Sequence, residues 1–162
     1  MTNFRSWAAL IVILGVASLT ASFAAAPPAQ DVPIMVTPAD LKWGEASPAL
    51  PPGSKAAVVL GDPKIEGPFV IRVKLPADYK VAPHFHPGNE QLTVISGTLH
   101  AAMGDTFDPS KAKALPAGSF MLLPAKSPHF ILTKEETVVQ VSAVGPLMVS
   151  YVNPADDPRN KK

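Results

Sequence analysis

Prolines recur from position 27 to position 158 of this 162-residue chain, which has 19 of them. Each proline removes a backbone hydrogen-bond donor, and its ring clashes with the preceding turn of a helix. Between the prolines, the apolar residues after position 26 come in short runs rather than in long stretches at helical spacing. The sequence therefore predicts short extended segments joined by turns, and no long amphipathic helix.

The clearest strand signal lies in GPFVIRVKL, residues 67–75, where apolar residues recur at every second position. Alternation at period two is typical of a strand with one buried face. Residues 104–118 are interpreted as a polar loop. The series of short strands predicts an all-β fold, a sandwich or a barrel. The other predicted strands are AAVVL, KVAPHFH, EQLTVI, LHAAM, SFMLLP, HFILT, TVVQVSAV and LMVSYV.

The N-terminal segment has the plan of a secretory signal peptide. It has a short polar start with Arg5, an apolar run from Trp7 to about Leu19, and then small residues. We expect residues 1–24 to be the signal peptide, with cleavage near Ala24–Ala26, and the product to be periplasmic or secreted without a stable membrane anchor. The alternative is an uncleaved anchor, but the run is short for a span of about 20 residues.

Charge and composition exclude several classes of protein. The chain has 14 Lys and Arg against 13 Asp and Glu, so removal of Arg5 leaves 13 of each. No basic block indicates a nucleic-acid partner. The absence of cysteine excludes disulfides and thiolate metal sites, so a metal would need His, Asp or Glu ligands.

Three of the four histidines lie in PHFHPGNEQLTVISGTLH, residues 83–100. In a strand, residues i and i+2 point to the same face, so His84 and His86 project together. After a turn, Glu90 opens the partner strand and can face back toward the pair. Two imidazoles and a carboxylate suit a divalent Fe, Mn, Ni, Cu or Zn ion.

A fourth ligand can come from distant sequence, and His129 lies at the start of another predicted strand. His100 is interpreted as a surface residue or a residue behind the ligands. Gln91 should point opposite to Glu90 in a regular strand. Trp43, Tyr79 and Tyr151 are interpreted as core or rim residues rather than catalytic ones.

These residues resemble the two signatures of the cupin superfamily. The first is G-x5-H-x-H-x3-E-x6-G, and the second is G-x5-P-x-G-x2-H-x3-N. The resemblance covers about residues 67–152, includes the small single-domain bacterial cupins, and keeps every position that binds metal in cupins. The matched positions are His84, His86, Glu90, Gly97, Gly118, Pro124 and His129, and the departures are Asp78, Lys126 and Thr133.

The resemblance implies a double-stranded β-helix, or jelly-roll barrel, with one metal in its mouth held by His84, His86, Glu90 and His129. We expect an extended N-terminal arm over residues 27–55, the barrel over 56–153 and a C-terminal tail over 154–162. Because cupins commonly pair, a homodimer is plausible, and residues 33–55 are the candidate for strand exchange.

The leading functional hypothesis is a metal-dependent enzyme acting on a small organic substrate. Oxygenase-type chemistry is favoured over isomerase or lyase chemistry, and no catalytic residue beyond the ligands is readable. The alternative is a binding or sensing module without turnover, favoured by the absence of a readable acid–base partner. A third possibility is a purely structural barrel. The choice among reactions rests on analogy with the fold family, which does not fix function.

Overall fold

The computed structural model describes residues 33–161, so the predicted signal peptide and its cleavage site lie outside the described residues. This part of the chain is built of eleven strands and four short 3-10 helices. The 3-10 helices span Pro38–Asp40, Pro109–Lys111, Pro154–Asp156 and Pro158–Asn160. The strands are β1 (Gly44–Glu45), β2 (Lys55–Leu60), β3 (Gly67–Leu75), β4 (Lys80–Phe85), β5 (Glu90–Ser96), β6 (Thr98–Met103), β7 (Lys113–Pro116), β8 (Phe120–Leu123), β9 (His129–Thr133), β10 (Thr137–Gly145) and β11 (Ser150–Tyr151).

The strands form two antiparallel sheets. The six-stranded sheet has the order β1-β2-β3-β10-β5-β8, and the five-stranded sheet has the order β11-β4-β9-β6-β7. Many strands that follow each other in sequence, such as β3 and β4 or β9 and β10, lie in different sheets, although β1, β2 and β3 share one sheet and β6 and β7 share the other. This is the double-stranded β-helix that the sequence predicted, and the all-β fold class is confirmed.

The core lies between the two sheets. The period-two pattern of β3 is confirmed, because every second side chain from Phe69 to Leu75 is buried, while Val70, Arg72 and Lys74 between them are not. Strand β10 pairs with β3 along nine residues, from Thr137 opposite Leu75 to Gly145 opposite Gly67. Its inward residues Val139 and Val141 join the same buried cluster.

The structure corrects two predicted segments. The predicted loop at 104–118 contains the 3-10 helix at Pro109–Lys111 and strand β7, which pairs with β6. The predicted strand at 147–152 is reduced to the two residues of β11.

The predicted C-terminal tail contains two 3-10 helices, and Arg159 in it donates hydrogen bonds to Asp157 and to the carbonyl of Val149.

The N-terminal arm lies against the barrel of its own chain. Gly44 and Glu45 pair with β2, and Ala49 and Ser54 are buried. The Tyr151 hydroxyl donates to the Ala49 carbonyl at 2.8 Å. The arm is thereby fastened over one end of the space between the sheets. Among residues 33–161, no helix is long and apolar enough to cross a membrane.

Candidate metal centre

Three histidines meet at one end of the barrel. His84 lies near the end of β4, His86 directly follows that strand, and both are buried. His129 begins β9 directly opposite His84 in the antiparallel pairing, and it is 2% exposed. The His84 and His129 rings have centroids 4.2 Å apart. One nitrogen from each of the three rings lies within 4.8 Å of the other two, which is a spacing that suits one shared metal ion.

Each ring is oriented by a backbone carbonyl on its Nδ1 side. His84 Nδ1 lies 2.9 Å from the Ala82 oxygen, and His129 Nδ1 lies 3.1 Å from the Ser127 oxygen. His86 Nδ1 lies 2.8 Å from the carbonyl oxygen of Met148. A carbonyl can only accept, so Nδ1 carries the proton in each case. In the neutral ring this leaves the lone pair on Nε2, the atom that a metal would take.

Glu90, the carboxylate among the predicted ligands, adjoins two of the three histidines. Its Oε2 atom lies 3.1 Å from His86 Nε2 and 3.9 Å from His129 Nε2. Glu90 opens β5 in the six-stranded sheet and is 6% exposed. The carboxylate therefore reaches the histidines from the opposite sheet and places a negative charge beside their Nε2 atoms.

The histidines differ in their protonation. Burial, reinforced by the charge of His129, lowers the pKa of His84 to about 3, so its ring is neutral at neutral pH. Burial also lowers the pKa of His129. At His86, burial acts in the same direction, but the hydrogen bond and charge of Glu90 outweigh it and raise the pKa. The raised pKa favours the protonated ring of His86 beside the Glu90 carboxylate, whereas the lowered pKa values of His84 and His129 favour neutral rings.

Two hydrogen bonds connect the turn between His86 and Glu90 to the loop before His129. The Lys126 amide donates to the His86 carbonyl at 2.8 Å. The Ala125 amide donates to Asn89 Oδ1 at 2.9 Å. These bonds hold together the two chain segments that supply the histidines, although the segments are far apart in sequence.

The cluster lies at the inner end of a cavity of about 620 Å³. The cavity walls come from both sheets and from the arm, which contributes residues between Lys42 and Leu50. Exposed residues such as Lys42 and Lys64 belong to its lining, so the cavity reaches the surface. A molecule of tens of atoms fits such a volume.

His84, His86, Glu90 and His129 are thus brought together, and the two residues that were not expected to be ligands lie elsewhere. His100 lies on β6, half-buried, and belongs to neither the histidine cluster nor the cavity lining of the described residues. Gln91 is exposed on the outer side of β5. The sequence did not point to Ala82, Ser127 or Met148, because a backbone carbonyl leaves no signal in residue identity.

Comparison with protein families decides the relationship. The model of the ChrR Cupin-like domain matches residues 31–148, well over half of the chain. The chain belongs to this cupin family. This match confirms the resemblance to cupins that the two sequence signatures indicated.

Solved structures agree on the cupin fold. The polyketide cyclase RemF from Streptomyces resistomycificus matches with a TM-score of 0.64 and 17% identity, over 76% of this chain and 88% of that one. An RmlC-like cupin from Shewanella frigidimarina NCIMB 400 matches with a TM-score of 0.52 and 12% identity, over 67% and 87%. KdgF from Halomonas sp. matches with a TM-score of 0.51 and 17% identity, over 66% and 91%. At these identities the likeness concerns the fold alone. No curated protein matches the sequence.

Proposed function

We propose that this cupin binds one divalent transition metal through His84, His86, Glu90 and His129 and acts on a small organic substrate beside it. The observation that carries the proposal is the carbonyl contact at every Nδ1 atom, which directs three Nε2 atoms toward one point. Three imidazole nitrogens and a carboxylate fit Fe, Mn, Ni, Cu or Zn. Beyond the carbonyl contacts at Nδ1, the polar contacts inside the cluster are those of Glu90 with the Nε2 atoms of His86 and His129.

Oxygenase-type chemistry is the favoured reaction. A bound ion would polarise a substrate oxygen or, if redox-active, support reaction with dioxygen. The protein's part is to hold the ion at the end of a cavity with mostly apolar walls and to leave room beside it for substrate. Other titratable side chains of the cavity lining are Lys42, Glu45 and Lys64, which are exposed and lie on the arm or the β2–β3 loop. Incorporation of both oxygen atoms into the substrate would need no further reductant and no separate acid or base.

Oxygen uptake tests this proposal. Protein reconstituted with Fe, Mn, Ni or Cu is offered a panel of small phenols, diketones and thiols in an oxygen electrode. We expect at least one compound to be consumed with oxygen, at a rate that His84→Ala abolishes. Metal-loaded protein that consumes no oxygen with any compound would contradict the oxygenase assignment.

A second candidate is a binding or sensing module without turnover. The scarcity of acid–base groups inside the cavity favours it, because most hydrolytic or isomerising reactions need a placed proton donor or acceptor. Tight binding of a compound that is recovered unchanged would support this candidate.

Export and pairing complete the proposal. The pattern of residues 1–26 supports export to the periplasm or beyond, and the mass of the purified product would locate the cleavage site.

A homodimer formed by exchange of residues 33–55 is proposed from the behaviour of other cupins. Truncation before Lys55 should then give monomers, and a dimer that survives the truncation would contradict the role of the arm.

A further inference from the structure

The wall of the cavity is apolar along its length. Strands β3, β5 and β10 of the six-stranded sheet supply Ile71, Val73, Leu92, Val139 and Val141, all less than a tenth exposed. The five-stranded sheet adds Val81 and Ile131 opposite them. The backbone groups of these strands are engaged in the sheets, so the wall presents hydrocarbon and offers few hydrogen bonds.

Polar side chains of the lining are confined to its two ends. His84, His86, Glu90 and His129 lie at the inner end. Lys42, Glu45, Ser47 and Lys64 are exposed, on the arm and the β2–β3 loop. A hydroxyl group placed between these ends would lose its water without gaining a partner, which is unfavourable. A hydrocarbon group in the same place would gain from leaving water.

We infer that the ligand of this cavity is an amphipathic molecule with a metal-chelating oxygen pair at one end and an apolar body of several carbons. Sugars, sugar acids and other hydroxyl-rich chelators are excluded by the same wall. The inference rests on the proposed function, because it requires a metal at the histidines to receive the oxygen pair. It assigns the class of ligand that the proposed function left open.

Three 2-hydroxy acids with the same chelating head test the inference. Glycolate is the head alone, 2-hydroxyhexanoate adds an alkyl chain, and gluconate has the same six carbons with a hydroxyl on every carbon except that of the carboxylate. Binding of each acid to the Co²⁺-loaded protein is followed by the visible absorption of the ion and by calorimetry. We expect 2-hydroxyhexanoate to bind about 10- to 100-fold more tightly than glycolate, since each buried methylene adds to affinity. Gluconate should bind no more tightly than glycolate.

The outcomes separate the inference from the proposed function. If gluconate binds as tightly as 2-hydroxyhexanoate, or if Co²⁺ binds and the alkyl chain adds nothing, the inference is overturned while the metal site stands. If Co²⁺ itself does not bind, the proposed function and the inference fail together.

Isosteric wall variants provide a matched control. Val139→Thr places a hydroxyl in the wall, and Val94→Thr places one in an equally buried core position outside the lining. We expect Val139→Thr to weaken 2-hydroxyhexanoate binding several-fold and to leave glycolate binding unchanged, whereas Val94→Thr should leave both unchanged. Val58→Ser, at a lining position that is 55% exposed, serves as a second variant if Val139→Thr does not fold. Equal effects of Val139→Thr on both acids would contradict an apolar ligand body.

Discussion

Asp78 and Lys126 have left-handed backbone conformations, with φ of 58° and 61°. They are the two positions where the cupin signatures have glycine and this chain does not. The third departure, Thr133, secures the first of these turns: its Oγ1 accepts from the Tyr79 amide at 3.1 Å and donates to the Pro76 carbonyl at 2.6 Å. The departures therefore keep the turn conformation, and side-chain contacts compensate for the missing glycine at Asp78.

Replacing Lys126 by glycine should not destabilise the protein. A lysine in the left-handed region costs roughly 1 kcal/mol, which glycine avoids, although glycine loses more entropy on folding. We expect Lys126→Gly to raise the free energy of unfolding by up to about 0.5 kcal/mol, as measured by urea denaturation. The control is Lys113→Gly in β7, which we expect to lower the free energy of unfolding by about 0.5–1 kcal/mol. Equal losses in both variants would contradict strain at Lys126.

Gly97 is a position where glycine is required for two reasons: its backbone conformation is left-handed, and a neighbouring carbonyl leaves no room for a Cβ atom. Its φ is 73°, and a Cβ atom would lie 2.5 Å from the Glu136 carbonyl oxygen. We expect Gly97→Ala to lower the free energy of unfolding by more than about 2 kcal/mol. Gly118 has a φ of 86°, but no atom lies within 4 Å of an added Cβ. We therefore expect Gly118→Ala to lower the free energy of unfolding by only about 1 kcal/mol. A Gly97→Ala loss no larger than that of Gly118→Ala would argue against the close contact.

At this scale the sequence predicted which residues form the cluster because much of its geometry follows from local spacing. His84 lies in β4, His86 directly follows that strand, and Glu90 comes after a short turn. The orienting carbonyl of Met148 could not be predicted, because it is 62 residues from His86 and lies close only through the pairing of β11 with β4.

Most strands of the two sheets carry their own hydrophobic signal, and β7 does not. Its sequence KALP is exposed or half-buried, and it is a strand because it pairs with β6, from Thr98 opposite Pro116 to Ala101 opposite Lys113. Tertiary pairing decides its conformation rather than local propensity. A prediction from periodicity therefore found the inner strands and missed this edge strand.

The arm is fastened by the two tyrosines of the chain. Tyr151 donates to the Ala49 carbonyl, and the Tyr79 hydroxyl contacts the Pro51 carbonyl and lies 2.9 Å from Ser54 Oγ. Both tyrosines are less than a tenth exposed. Because the arm lines the cavity, these bonds also define the shape of the binding site.

Removing the Tyr151 hydroxyl should release the arm. In Tyr151→Phe the buried Ala49 carbonyl loses its partner, and we expect a loss of about 1–3 kcal/mol in the free energy of unfolding. Limited proteolysis should also cut between residues 44 and 53 more readily than in the wild type. Ser150→Ala, a change at the neighbouring residue of β11, is the control and should leave both properties unchanged. Unchanged proteolysis in Tyr151→Phe would show that the arm is held by other contacts.

The same tyrosines should resist ionisation. Burial raises the pKa of Tyr79 and of Tyr151 above the ordinary value of 10. A phenol that ionises at higher pH in the folded state stabilises the fold below the unfolded pKa, and this contribution is lost as pH rises from about 10 through the folded pKa. Absorbance at 295 nm should therefore stay flat until the protein unfolds in alkali. Tyrosinate that appears near pH 10 while the far-UV circular dichroism is still native would contradict the burial.

The proposed metal site joins the two sheets of the barrel. His84, His86 and His129 come from the five-stranded sheet, whereas Glu90 comes from the six-stranded one. The sequence predicted a metal in the mouth of the barrel but paired the strand of Glu90 with that of His84 and His86, whereas β5 lies between β10 and β8 in the other sheet. It could not predict the character of the cavity, because the wall depends on which strand faces meet and on how the arm closes over them.

Metal content tests the central claim most directly. The protein is purified without added metal and examined by elemental analysis, together with the double variant His84→Ala/His86→Ala and with His100→Ala as the matched histidine control outside the cluster. We predict about one transition metal per chain in the wild type and in His100→Ala, and none in the double variant. No metal in the wild type, even after reconstitution, or equal metal in all three proteins, would contradict a metal centre at these histidines.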